Sequence, residues 1–189
     1  TSRRMRILVT LFAAALLVGC QSKIAETFDT RQNAGPCPPV GSVYDVSRYV
    51  EFAAGTDETY PNITYTGEVA DVRMFCRYAG KDPLVAQMEI DFAFGKGEAA
   101  RSDKHTYTYF VAVTRRNGKV LAKEYFNVEA DFNGRKLDGR TESIAKIEIP
   151  RLDESIAGSN FEILVGFDLT PEQLAFNRAG KRYLLNAAK

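Results

Sequence analysis

The chain has no tryptophan, one histidine, three cysteines and a formal net charge of only +1 across 189 residues. Each scarcity excludes a class of protein. A near-zero charge lacks the electrostatic footprint of a nucleic-acid binder, so no nucleic acid is expected as a partner. With one cysteine assigned to lipid as argued below, two cysteines and the solitary His105 supply too few ligands for a zinc centre, so neither metal nor cofactor is expected. Three cysteines are also far from a disulfide-dense miniprotein, and no G-x-S-x-G nucleophile elbow is present. What remains is ordinary globular material: 45% hydrophobic, 26% charged, with nine Tyr and twelve Phe. This length suits one domain with a core large enough to fold without a metal.

The first twenty residues read TSRRMRILVTLFAAALLVGC. Arg3, Arg4 and Arg6 form a positive segment, followed by twelve apolar or small residues from Ile7 to Val18. As a helix that run spans about 18 Å, well short of the roughly 30 Å hydrocarbon core. It suits the apolar part of an export signal better than a membrane span. The run ends in Leu17-Val18-Gly19-Cys20, which resembles the lipobox of bacterial lipoproteins. The resemblance implies cleavage before Cys20 and acyl chains on that cysteine; the alternative is an ordinary signal peptide with an incidental cysteine. The Ser2-Arg3-Arg4 start resembles a twin-arginine signal, but Arg6 stands where that motif takes a large apolar residue, so a general secretory signal is expected. Gln21 in place of an aspartate implies, by the same resemblance, the outer membrane of a Gram-negative cell, with the domain in the periplasm. The opening Thr1 puts the true start at Met5 or upstream of the sequence. Residues 1–19 carry three arginines and no acid, so the expected mature chain has 22 basic against 24 acidic residues, a net −2.

With Cys20 assigned to lipid, Cys37 and Cys76 remain as an even pair in an oxidising compartment, where such pairs usually join. Two separate buried thiols are the alternative. Residues 20–42 read as the lipidated cysteine and a polar, proline-rich tether that stiffens at Gly35-Pro36-Cys37-Pro38-Pro39. Residues 43–189 read as the folded domain.

There the dominant period is two. Val72, Met74, Cys76 and Tyr78 alternate with Arg73, Phe75 and Arg77, and Met88, Ile90, Phe92 and Phe94 with Glu89, Asp91 and Ala93. Tyr107, Tyr109, Val111 and Val113 mark a further strand, and residues 120–128 return as its partner. Asn117-Gly118 between them predicts a type I′ hairpin, in which both central residues take positive φ. Asn133-Gly134 and Asp138-Gly139 mark turns. Ala145, Ile147 and Ile149 form a short strand, and Phe161, Ile163, Val165, Phe167 and Leu169 give the cleanest alternation. Thr170-Pro171-Glu172-Gln173 predicts a helix start with a capping box. The sum is an all-β chain: an antiparallel β-sandwich of seven to eight strands with a short C-terminal helix. Residues 62–79 resemble an immunoglobulin-type core-cysteine strand, without that family's core tryptophan or second late cysteine. The chain as a whole resembles uncharacterised lipoproteins of Gram-negative, alphaproteobacterial envelopes, a likeness that carries no activity with it.

No catalytic residue is assigned. Glu89 and Asp91 share one strand face about 7 Å apart, a separation compatible with glycoside hydrolysis and equally with exposed acids on a sheet. Asp131, Asn133 and Asp138 hint at an oxygen-ligand loop but lack EF-hand spacing. His105 lacks a visible nucleophile or orienting acid. The densest basic cluster outside the signal is the hairpin tip Arg115, Arg116 and Lys119, which together with Tyr107 and Tyr109 forms the candidate interaction surface. The functional expectation is a non-enzymatic envelope lipoprotein, tethered to the outer membrane, that binds or scaffolds an envelope protein. A periplasmic carrier of an apolar ligand is the alternative, and a hydrolase the third reading. Oligomeric state is left open.

Overall fold

The computed structural model describes residues 36–78, 83–152 and 155–181. Alternating β-branched and aromatic residues become strands wherever one face of the pleat can be buried, and eight segments do so. These are β1 (Val40–Ser42), β2 (Arg48–Phe52), β3 (Ile63–Arg77), β4 (Leu84–Lys96), β5 (Lys104–Arg115), β6 (Val120–Asp131), β7 (Leu137–Ile149) and β8 (Phe161–Phe167). One sheet runs β2-β3-β4-β7 and the other β1-β8-β5-β6. All pairings are antiparallel except β1 beside β8, which run parallel with Val40 opposite Ile163. The fold is therefore an antiparallel β-sandwich. It is Ig-like in having two packed sheets; the strand order within them differs from the immunoglobulin ABED and CFG order. The first strand begins inside the segment expected as tether.

The predicted helix is present as α1 (Pro171–Arg178), and Thr170 and Gln173 complete a reciprocal capping box. Gln173 Nε2 also donates to the Val50 carbonyl at 2.9 Å, and Asn177 Nδ2 donates to the carbonyls of Asp45 and Arg48, so α1 clamps the start of β2.

The centre of the sandwich is filled by aromatic rings. Phe94 of β4 stacks on Tyr107 of β5 with centroids 4.3 Å apart, Phe92 meets Tyr109 at 4.9 Å, and Phe167 of β8 lies 5.7 Å from Phe92. Each such ring contributes about 1.5–3 kcal/mol by leaving water. Gly67 of β3 permits this packing, because a Cβ there would meet Phe167 Cζ at 3.0 Å.

Two expectations for β7 need correction. Asp138-Gly139 lies inside β7, where Asp138 pairs with Phe94 and its carboxylate accepts from Asp131 N–H at 2.9 Å. Ala145 points outward: a bulge sets Ile144 opposite Met88 and Ile147 opposite Ala86, so one extra β7 residue shifts the alternation and Ile144 faces the core.

Candidate functional site

The β5–β6 hairpin turns through Arg115–Lys119. The Arg115 carbonyl accepts from Gly118 N–H at 2.8 Å, and Arg115 N–H donates to the Lys119 carbonyl at 2.9 Å. Only Gly118 takes positive φ, at 83°, so the expected type I′ pair is not formed here. Arg116 and Asn117 occupy the centre of the turn, and Gly118 absorbs the left-handed residue of a following bulge. The type I′ signature falls instead on Asn133 and Gly134, with φ of 48° and 78°, joining β6 to β7. Arg115, Arg116 and Lys119 are exposed. Tyr107 and Tyr109, expected beside them on the interaction surface, are 0% and 1% exposed. They are on the inward face of β5, where aromatic bulk fills the sandwich, and burial pushes the Tyr109 hydroxyl up to about 12.

The hairpin tip is tied to the place where the chain joins the sandwich. Arg116 Nε donates to the Ser159 carbonyl at 2.7 Å. Next to Ser159, Gly158 N–H donates to the Tyr78 hydroxyl, and that hydroxyl donates to the Pro36 carbonyl. The neighbouring Cys37 is bonded to Cys76 of β3, with Cα atoms 5.7 Å apart. The expected disulfide is thus present, and it staples the proline-rich segment to a strand. Cys20 lies outside the described residues.

A second feature lies along the side of the molecule. β6 and β7 are the last strands of their sheets, so both have an unpaired edge on the same flank. Between them is a cavity of about 290 Å³ with an apolar floor of Val111, Val113, Phe126, Ile144 and Ile147, rimmed by Glu124, Lys146 and Glu148. Tyr125 and Leu121 of β6 are exposed on the opposite face of that strand, where Tyr125 lies edge-on to Phe110. A larger cavity of about 470 Å³ lies at the far end beside α1, lined by Glu51, Glu58, Asp168 and Glu172 together with Tyr49 and Phe52.

The remaining candidates resolve into structural roles. Glu89 and Asp91 both bind Arg73, at 3.4 and 2.6 Å, and Thr141 donates to Asp91 at 2.7 Å. The guanidinium holds the Asp91 carboxyl below the usual carboxylate range. A carboxylate so engaged is a poor general acid. Asp138 is salt-bridged to Arg140 at 2.9 Å, and Asp131 lies 3.5 Å from Lys104, which occupies the acids that only hint at an oxygen-ligand loop. Among the described residues no group of three His, Cys, Asp or Glu side chains gathers as a metal site.

His105 is half-buried, stacked on Tyr65 at 4.0 Å and edge-on to Tyr107 at 4.6 Å. Burial lowers its pKa, opposed by Glu51, whose Oε2 lies 3.7 Å from Nε2. Glu51 in turn accepts from the Tyr49 hydroxyl at 2.5 Å and the Thr64 hydroxyl at 2.8 Å. Sequence reasoning missed Glu51 and Tyr49, because nothing local signals a partner 54 positions away.

Comparison with protein-family models, curated proteins and solved structures finds no match in any of the three. The geometry therefore has to speak through its surfaces: a basic hairpin tip beside the chain's point of attachment, and an apolar slit between two open strand edges.

Proposed function

We propose that the chain is a non-enzymatic lipoprotein, tethered through Cys20 to the outer membrane, whose sandwich docks an envelope protein along the β6–β7 flank. The observation that carries this reading is the pair of long strands with unpaired edges on either side of an apolar slit. Such edges supply backbone donors and acceptors for an added strand, and the slit supplies side-chain pockets. The signal, the lipobox resemblance and the polar tether support the location.

A photo-crosslinking amino acid at Tyr125 or Leu137, both exposed on these strands, should capture one discrete envelope protein in cells. The same reagent at Ala93, on the outer face of β4, should not. Indiscriminate capture at all three positions, or none at the flank, overturns the reading.

Carriage of an apolar ligand is the second reading. The aromatic filling between the sheets leaves it the slit as a seat, and native mass spectrometry of the protein purified from membranes would reveal a co-purified lipid.

A further inference from the structure

We infer that the end of the sandwich at which residue 36 joins it rests against an anionic phospholipid surface, with the β5–β6 hairpin tip making the contact.

Three observations meet at this end. The first is where the rest of the chain attaches. Residues 1–35 precede Pro36, and Pro36 and Cys37 are fixed to the sandwich by the Tyr78 hydroxyl and by the bond to Cys76. Any tether therefore holds this end closest to its membrane.

The second is charge. Elsewhere in the domain many basic side chains are taken up by acids: Arg48 by Glu68, Arg73 by Asp71, Glu89 and Asp91, Lys104 by Glu129, Lys146 by Glu148, and Arg178 by Asp45, although Arg101, Lys123 and Lys136 form no ion pair with any described residue either. Arg77, Arg115, Arg116 and Lys119 are exposed and form no ion pair with any described residue. Arg116 is held in place by Ser159 yet keeps its charge outward, so the tip is a pre-set basic prong. Glu162 lies opposite Thr114 on the neighbouring strand. The attraction is consequently local to the tip, acting within about one Debye length, roughly 8 Å.

The third is exposed apolar surface at the same end. Val120, directly after the basic tip, is 56% exposed, Phe75 near the end of β3 is 66% exposed, and Leu152 after β7 is 88% exposed. Basic residues interleaved with exposed apolar ones match a phospholipid interface, where head groups take the charge and the acyl boundary takes the apolar side chains. A solvated turn needs only the charge.

This inference rests on the membrane-tethered reading for the tether alone. Because the chain has no tryptophan, a Val120→Trp variant gives a single reporter at the tip, and Tyr44→Trp gives one at the far end near α1. The full chain would be reconstituted in bilayers of phosphatidylcholine with or without phosphatidylglycerol, carrying brominated lipid as quencher. We expect Val120→Trp to be quenched and blue-shifted only when phosphatidylglycerol is present. Arg115→Glu, Arg116→Glu and Lys119→Glu together should abolish that quenching, and Tyr44→Trp should stay unquenched throughout. Quenching indifferent to phosphatidylglycerol or to the charge reversal, or equal at both reporters, overturns the inference. So does a Val120→Trp shift produced by bilayer-free envelope extract and not by bilayers, which would assign the tip to a protein. Mass spectrometry of the Cys20 peptide separates the two failures. An acylated Cys20 with an unquenched tip sinks only this inference, while an unmodified Cys20 with phosphatidylglycerol-dependent quenching sinks only the tethered reading.

Discussion

The Tyr78 hydroxyl donates to the Pro36 carbonyl at 2.7 Å and accepts from Gly158 N–H at 2.6 Å. One phenol thus joins the incoming chain, the end of β3 and the turn before β8. Its ring is buried and carries the Arg151 guanidinium 5.0 Å from its centroid. Tyr78→Phe keeps the ring and removes only the clasp, leaving a buried donor and an acceptor unsatisfied. We expect a loss of about 1–3 kcal/mol, read as a lower urea midpoint with unchanged slope. An unchanged midpoint would show that water replaces the hydroxyl without cost.

The Cys37–Cys76 bond lies beside that clasp and closes a loop with a sequence separation of 39. Restricting the unfolded chain over a loop of this size is worth on the order of 4 kcal/mol by the chain-entropy argument. A Cys37→Ala/Cys76→Ala variant should unfold at correspondingly lower urea. Reductant should destabilise the parent protein and leave the variant untouched.

Gly97, after β4, has a different constraint. A Cβ there would stand 2.0 Å from the Ile63 carbonyl oxygen, a backbone atom that also accepts from Ala99 N–H at 3.1 Å. Gly97→Ala must therefore displace the start of β3, at a cost of about 3 kcal/mol. Gly41→Ala meets nothing within 4 Å and should be nearly neutral. Thermal melting of the two variants side by side gives the comparison.

His105 sets a pH response. Burial lowers its pKa below the ordinary value of about 6.5, so the fold favours the neutral ring. As pH falls through about 6.5 the unfolded chain takes up a proton before the folded one does, and stability declines from there until the folded imidazole is protonated. Asp91 and Asp103, both held below the carboxylate range by Arg73 and Lys96, contribute stability that is lost only at still lower pH. Urea midpoints between pH 7.5 and 5 should therefore fall for the parent protein and stay flatter for His105→Gln. Parallel curves would remove the histidine from the account.

The strands that the sequence reveals most clearly are those with one buried face. Tyr107, Tyr109, Val111 and Val113 of β5 and Phe161, Ile163, Val165 and Phe167 of β8 mark a buried face at period two, although Val111–Thr114 are buried on both faces, and α1 announces itself through Thr170, Pro171 and Gln173. β1 and β2 were hidden for physical reasons. Val40–Ser42 is three residues long after a proline run, and Arg48–Phe52 is an edge strand whose polar residues reach the surface. The β7 phase departs from the expected alternation at Ala145 because a bulge is a property of the pairing, set by Ala86 and Met88 across the ladder. Tyr107 and Tyr109 are buried against expectation because alternation tells which residues share a face, and only the opposing sheet decides which face is covered. The basic tip was legible as charge. Its proximity to Pro36 was not, since it depends on contacts through Gly158 and Ser159, far along the chain.

The parallel pairing of β1 with β8 has a kinetic consequence. Val40 finds its partner Ile163 only after 123 further residues have been made. Pairings of such long sequence separation close late and slowly. A chain emerging from its N-terminus can form the Cys37–Cys76 bond while β1 still has no neighbour. β8 is the last strand in the chain and the only partner of β1, so truncation before β8 leaves the first strand without a sheet to join.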